Sequence, residues 1–367
     1  MKARIALLPG DGIGPEVTTA ATGALEQIAR SFGHEFSFTT SLIGGAALVA
    51  GGPPLPAATL DAARGANAVL LGAVGDPRFD HLPPSGRPES ALLALRKALG
   101  VYANLRPARS WPGLENAGPL KASVLAGTDL VVVRELTGGL YYGEPRGISD
   151  DGESAVNTMR YTRDEIARVA RVAFTLARGR QKRVVSVDKA NVLEVSRLWR
   201  QVVTEVAHDY PDVVLTHEFV DAAAMKLALA PASFDVLLME NLFGDILSDE
   251  AGAVCGSLGL LPSASLGNGP GLFEPVHGSA PTIAGRDIAN PIGAILSAGM
   301  LLSDGLGLAD EGRAITQAVE RTIAAGRRTA DIAPPGHRAI GTREFAETVV
   351  NEIGEGHRAQ GKGQREG

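Results

Sequence analysis

Two aspartates four residues apart, Asp245 and Asp249, stand in the segment Asn241-Leu242-Phe243-Gly244-Asp245-Ile246-Leu247-Ser248-Asp249. On a helix they share one face and repel each other. A divalent cation with hard oxygen ligands offsets that repulsion. A solvated acidic face is the plainer alternative, weakened by the apolar neighbours Ile246 and Leu247 and by the apolar run Asp235 to Met239 just before.

Three arginines could bind an acidic metabolite, because a planar guanidinium contacts a carboxylate at two points. Arg96 lies in the helix-like run Leu92 to Leu99, where an ordinary surface charge is as good a reading. Arg106 follows Tyr102-Ala103-Asn104-Leu105, and Arg134 ends the apolar run Leu130 to Val133. A cation at the end of a buried strand points towards a crevice. Arg134 also opens a loop to Gly147 that holds Gly138, Gly139, Tyr141 and Tyr142. Either tyrosine could be a general acid there, or could pack on a glycine turn. Lys189, in Val187-Asp188-Lys189-Ala190-Asn191-Val192, is a surface lysine unless a nearby metal and desolvation lower its pKa and make it a base.

Two loops invite a nucleotide reading. Leu8-Pro9-Gly10-Asp11-Gly12-Ile13-Gly14-Pro15-Glu16 joins a strand to a helix, but its spacing is not G-x-G-x-x-G. A plain turn is the simpler reading. Phe273-Glu274-Pro275-Val276-His277-Gly278-Ser279-Ala280-Pro281-Thr282-Ile283-Ala284-Gly285, followed by Asn290-Pro291, reads as a rigid loop with backbone N–H groups that can cradle phosphate. His277 is a structural histidine or sits beside a base.

These groups need a frame. Ile5–Leu8, Ala68–Leu71, Asp129–Val133, Arg183–Val187, Val213–Thr216 and Asp235–Met239 read as strands, and Pro15–Ser31, Arg163–Gly179 and Val192–His208 as helices. Alternation of this kind predicts an α/β fold with a substantial parallel component. The 367 residues exceed one ordinary core, so two domains are expected. Gly51 to Pro56 is a turn or loop, and the Gly- and charge-rich tail Gly354 to Gly367 reads as a frayed end.

A net charge of -6 and the lack of a basic stripe argue against nucleic acid or a membrane as partner. The single cysteine, Cys255, rules out an internal disulfide and reads as a small buried apolar residue. The N-terminal apolar run is broken by Pro9-Gly10, too short for a signal peptide. No apolar stretch of about 20 residues offers a membrane span. The expected compartment is the cytoplasm.

Taken in order, these segments resemble the isocitrate/isopropylmalate (β-decarboxylating) dehydrogenases, from the Gly10–Glu16 loop to about Val350. The most specific parts are 134–147, 187–195, 241–250 and 273–285. The resemblance implies a two-domain α/β fold with mixed parallel and antiparallel sheets, not an ordinary Rossmann domain. Residues 1–101 and 256–367 would bind the cofactor. Residues 102–255 would form the dimer interface and the substrate and metal domain, and the cleft between the domains would take substrate and cofactor.

The resemblance also implies roles. Tyr141 and Lys189 are catalytic. Arg96, Arg106, Arg134, Asp221, Leu92 and Glu89 meet the substrate, a branched 2-hydroxy dicarboxylate. Asp221, Asp245 and Asp249 hold Mg²⁺ or Mn²⁺. Lys189 and Asp221 reach over from the partner subunit of a homodimer with shared active sites. Ile13, Glu274, His277, Gly278, Ser279, Ala280, Thr282, Ile283, Asn290 and Asp331 contact NAD. The isopropylmalate branch fits best, because Leu92 and Leu93 before Arg96 offer an apolar wall for an isopropyl group. A third carboxylate there would be left unpaired. The implied reaction is oxidative decarboxylation of 3-isopropylmalate to 4-methyl-2-oxopentanoate in leucine biosynthesis.

Two positions depart from the family pattern. Thr282 stands where NAD-using members carry Asp, although the lysine–tyrosine pair of NADP-using relatives is also missing at 282–283. Val156 replaces a common Trp and reads as a packing change. Related dehydrogenases of tartrate or malate, homoisocitrate or isocitrate remain alternatives. So does a non-catalytic metabolite-binding protein on the same fold, which retention of Tyr141, Lys189 and all three aspartates disfavours.

Overall fold

The computed structural model describes residues 1–363, and side chains as far as residue 358. In chain order the elements are β1 (Lys2–Gly10), α1 (Gly14–Phe32), β2 (Glu35–Thr40), α2 (Gly45–Val49), α3 (Ala57–Gly65), β3 (Ala68–Ala73), α4 (Pro88–Leu99) and β4 (Val101–Arg109). Next come α5 (Ala122–Leu125), β5 (Asp129–Glu135), β6 (Arg146–Ile148), β7 (Ala155–Asn157), α6 (Arg163–Arg178), β8 (Arg183–Asp188), α7 (Glu194–Ala207), β9 (Val214–Phe219) and α8 (Val220–Leu229). Then follow β10 (Val236–Met239), α9 (Asn241–Cys255), β11 (Pro262–Gly267), β12 (Gly271–Pro275), α10 (Ile292–Met300), α11 (Ala309–Ala324) and α12 (Thr342–Gly363).

The chain divides into two compact units, Met1–Val101 with Trp111–Pro119 and Gly256–Gly367, and Tyr102–Ser110 with Leu120–Cys255. In the first unit the strands lie in the order β2-β1-β3-β12-β11. β1 is parallel to β2 and β3, β3 is parallel to β12, and β12 is antiparallel to β11. Every residue of β3 is buried, as expected of a parallel strand covered on both faces. Helix α1 buries Val17, Ala21, Ala24, Leu25 and Ile28, an apolar stripe at helical spacing. It ends at Gly33 in the left-handed conformation.

Residues Trp111–Pro119, expected in the second domain, belong to this first unit. Trp111 and Leu114 are buried, and Arg328 donates to the Gly113 carbonyl. The expected frayed tail is also corrected. Gly354–Gly363 completes α12, which buries Phe345, Val349 and Ile353 and is tied to α11 by the Arg321–Glu352 pair at 2.7 Å. Positions 364–367 of that tail lie outside the described residues. Phe273–Pro275, read as loop, is the end of β12, because Phe273 pairs with Ala264 on one side and Leu70 on the other.

In the second unit the order is β4-β5-β10-β8-β9, with only the β4–β5 pair antiparallel. Leu130, Val132, Val133 and all of β10 are buried. Each such Leu or Val contributes about 1.5–3 kcal/mol by leaving water, before chain entropy is subtracted. Helix α6 starts on a reciprocal cap between Thr162 and Glu165. A separate hairpin, β6–β7, carries Ile148 and Val156 exposed to 75% and 51%. Val156 is therefore exposed within this chain.

Candidate active site

In the second unit the first relevant feature is the β4–β5 register. Asn104 lies opposite Arg134 and Arg106 opposite Val132. With a side-chain period of two, Asn104, Arg106 and Arg134 share one face, and the two arginines are diagonal neighbours. Arg106 donates through Nε to Asn104 Oδ1 at 2.8 Å and through one terminal nitrogen to Ser248 Oγ at 2.7 Å and Asp249 Oδ1 at 3.2 Å. Arg134 grips Asn241 Oδ1 with Nε at 3.0 Å and a terminal nitrogen at 2.8 Å, while its other terminal nitrogen donates to Asp245 Oδ1.

Helix α9 brings the aspartates to these arginines. Its first N–H groups, of Leu242 and Phe243, donate to the buried Glu240 carboxylate at 3.0 and 2.8 Å. Gly244 is required where Arg134 crosses the helix, because a Cβ there would fall 2.7 Å from Arg134 Cβ. Tyr141, on the 3-10 turn Gly139–Tyr141, donates to Asp245 Oδ2 at 2.7 Å, with the Arg134 guanidinium 5.8 Å from its ring centre. Burial, and then the Asp245 carboxylate, push the Tyr141 hydroxyl up to about 12, so it carries its proton at neutral pH. Burial also raises the Asp249 carboxyl, against the opposing pull of Arg106.

The structure thus joins Arg106, Arg134, Tyr141, Asp245 and Asp249. It places Asp221 elsewhere, at the start of α8, accepting from Lys189. That hydrogen bond holds the Asp221 carboxyl below the usual range. Among the described residues no three His, Cys, Asp or Glu side chains gather into a metal-holding group. Lys189 follows β8 and closes a turn whose Val192 and Leu193 N–H groups donate to its carbonyl at 3.0 and 2.9 Å. Asp188, just before it, accepts from Ala190 N and from Nε and one terminal nitrogen of Arg200 at 2.8–2.9 Å.

In the first unit Arg96 is buried and donates to Glu274 Oε1 at 2.8 Å. Glu274, expected at the cofactor, is therefore the counter-charge of Arg96. Glu89, Leu92 and Arg96 stand at helical spacing on α4, with Leu92 and Leu93 half-buried and Glu89 exposed. The two loops are stitched together. Ile13 N donates to the Ser279 carbonyl at 2.8 Å, and Gly285 N donates to Glu16. Asp11 accepts Gly45 N, Ala46 N and Gly75 N at 2.7–2.9 Å.

His277 Nδ1 lies 3.0 Å from the Gly278 carbonyl, while its Nε2 is buried without a partner. Burial lowers the pKa of that ring. Ala280 has φ +39° and opens a turn closed by Ile283 N at 3.1 Å, leaving Thr282 exposed. Asn290 donates to Asp331 Oδ2 at 2.9 Å, and Asp331 also accepts from Ser257 and Thr329 at 2.6 Å.

Sequence reasoning missed Asn104, Asn241, Ser248 and Asp11. Asn104 was within reach, since it stands two residues before Arg106 and alternation places both on one face. The other three declare themselves only through partners distant in the chain.

The family model described as isocitrate/isopropylmalate dehydrogenase matches residues 4–349. A protein of Nitratidesulfovibrio vulgaris named 3-isopropylmalate dehydrogenase is 57% identical over 96% of this chain and 100% of its own length. One of Aquifex aeolicus with the same name is 52% identical over 96% and 97%. Among solved structures, isocitrate dehydrogenase from Methylococcus capsulatus superposes with a TM-score of 0.85 at 38% identity, covering 96% of this chain and 99% of that one. This chain belongs to the isocitrate/isopropylmalate dehydrogenase family.

Proposed function

We propose that the protein is an NAD-dependent 3-isopropylmalate dehydrogenase. It oxidises the C2 hydroxyl, releases CO₂ and yields 4-methyl-2-oxopentanoate for leucine biosynthesis in the cytoplasm. The observation that carries this reading is the joined set Arg106, Arg134, Tyr141, Asp245 and Asp249 in a chain 57% identical to a relative of that name. Among the described residues no helix is long and apolar enough to cross a membrane.

The donor sets fit the groups that the family implies. Asp245 and Asp249 offer hard oxygens from one helix face, suited to Mg²⁺ or Mn²⁺. Asp221 of a second copy would complete that set. The partnerless His277 Nε2, with Gly278, Ser279, Ala280, Thr282, Ile283 and Asn290 around it in sequence, suits a nucleotide. The chemistry these groups supply when bound is polarisation of the C2 oxygen and acceptance of hydride from C2.

The chain's own residues do the rest. Arg96, Arg106 and Arg134 bind the substrate carboxylates, which fixes orientation. Lys189 Nζ takes the C2 hydroxyl proton. Loss of CO₂ from C3 leaves an electron pair delocalised as an enolate, and the Tyr141 hydroxyl returns a proton to C3. Leu92 and Leu93 pack the isopropyl group, with Glu89 at the same face of α4. Exposed Ile148, Val156, Met225, Leu229 and Ile246 on the second unit support a homodimer through that unit. Lys189 and Asp221 would then serve the partner's site.

A panel of 3-isopropylmalate, isocitrate, homoisocitrate, malate and tartrate with Mn²⁺, read by NADH absorbance, tests the substrate. The highest kcat/KM is expected on 3-isopropylmalate, and preference for any other acid overturns the reading. Repeating the assay with NADP tests the cofactor, where a clear NADP preference would sink the NAD assignment.

A further inference from the structure

Behind Tyr141 and Arg134 lies a buried tyrosine that none of the roles above uses. Tyr161 immediately precedes Thr162, the residue that caps α6, and is 6% exposed. Its ring meets Trp199 edge-on at 5.6 Å. Its hydroxyl donates to Glu135 Oε2 at 3.1 Å and accepts from Asn241 N at 3.0 Å. Glu135 in turn accepts Thr137 N, Thr137 Oγ1 and Gly138 N at 2.8–2.9 Å. Asn241 Nδ2 reaches the Gly138 carbonyl at 3.1 Å.

One hydroxyl therefore ties two segments together, the approach to the Gly139–Tyr141 turn and the first residue of α9. The turn also rests on the ring itself. A Cβ on Gly138 would fall 2.4 Å from a ring carbon of Tyr161, and one on Gly139 would fall 2.6 Å from its oxygen. A three-residue 3-10 turn has little rigidity of its own. Its position has to come from what it packs against.

We propose that Tyr161 is a positioning residue for the reaction, locking the Tyr141 turn against the start of α9 and so fixing where the Tyr141 hydroxyl meets Asp245. The proposal rests on the reading of Tyr141 as the proton donor. Asn241 is the second half of the same lock, since it also holds Arg134.

The test is a double-mutant cycle of Tyr161→Phe and Tyr141→Phe in the full-length protein with metal and NAD. It is run on whichever acid of the panel the wild type turns over fastest. Failure of the isopropylmalate reading then appears as a different preferred acid, while the cycle is still read. Tyr161→Phe is expected to lower kcat about tenfold with KM within about twofold. In the Tyr141→Phe background it is expected to cost much less, because the proton donor it positions is gone and only its hold on Asn241 remains to be lost. Gly138→Ala, which pushes the turn off the ring, is expected to show the same pattern. An equal loss in both backgrounds, or no loss in either, overturns the proposal, since a general structural role lowers both alike.

Discussion

The Tyr141 hydroxyl donates to one oxygen of Asp245 while Arg134 donates to the other. A single carboxylate thus sets the spacing between the candidate proton donor and a candidate substrate-binding cation. Removing only the hydroxyl, in Tyr141→Phe, is expected to lower kcat about 100-fold or more, the ordinary worth of general acid catalysis. KM should stay within about threefold, because the ring remains. Steady-state kinetics on 3-isopropylmalate checks this, and a variant of unchanged kcat removes Tyr141 from the mechanism.

Asp245 and Asp249 are expected to answer to metal. Chelation should abolish turnover, and Mg²⁺ or Mn²⁺ should restore it. Asp249→Asn removes one charged ligand and leaves the Arg134–Asp245 contact in place. The Mn²⁺ concentration for half-maximal activity should rise about tenfold or more. Activity that survives chelation would set the pair aside as a structural ion-pair network.

Lys189→Ala tests the base. Turnover should fall at least about 100-fold, while the sedimentation coefficient stays that of the wild type. Asp221 loses the hydrogen bond that lowers its pKa, so its carboxyl should move back towards the ordinary range. Unchanged turnover would refute the proton role of Lys189.

Cys255 is 2% exposed, and burial pushes its thiol up to about 12. The thiolate is the reactive form, and at pH 8 it would be on the order of one part in ten thousand. Iodoacetamide at pH 8 should leave the native protein unmodified by mass spectrometry and alkylate it fully in denaturant. Rapid native labelling would show that α9 opens near its end.

Much of this site is legible in the sequence. Asp245 and Asp249 at helical spacing, Arg134 at the end of an apolar strand and Lys189 after another are local patterns, and local sterics and burial decide them. The strand β4 is hidden in the sequence, because Asn104, Arg106 and Pro107 break its apolar pattern. Its antiparallel pairing with β5 supplies what the sequence lacks. Val156, which replaces a common Trp of the family, stands on an exposed hairpin.

The α/β alternation, the residue types of the chemistry and the family resemblance are legible in the chain alone, since each depends on neighbours within a few positions or on motif order. Which group holds which comes from the fold. Glu274 lies 178 residues from Arg96, Asn241 lies 107 from Arg134, and Tyr161 lies 80 from the α9 backbone it binds. A buried polar group must find a partner, and which one it finds depends on strand register and helix placement that no local spacing encodes.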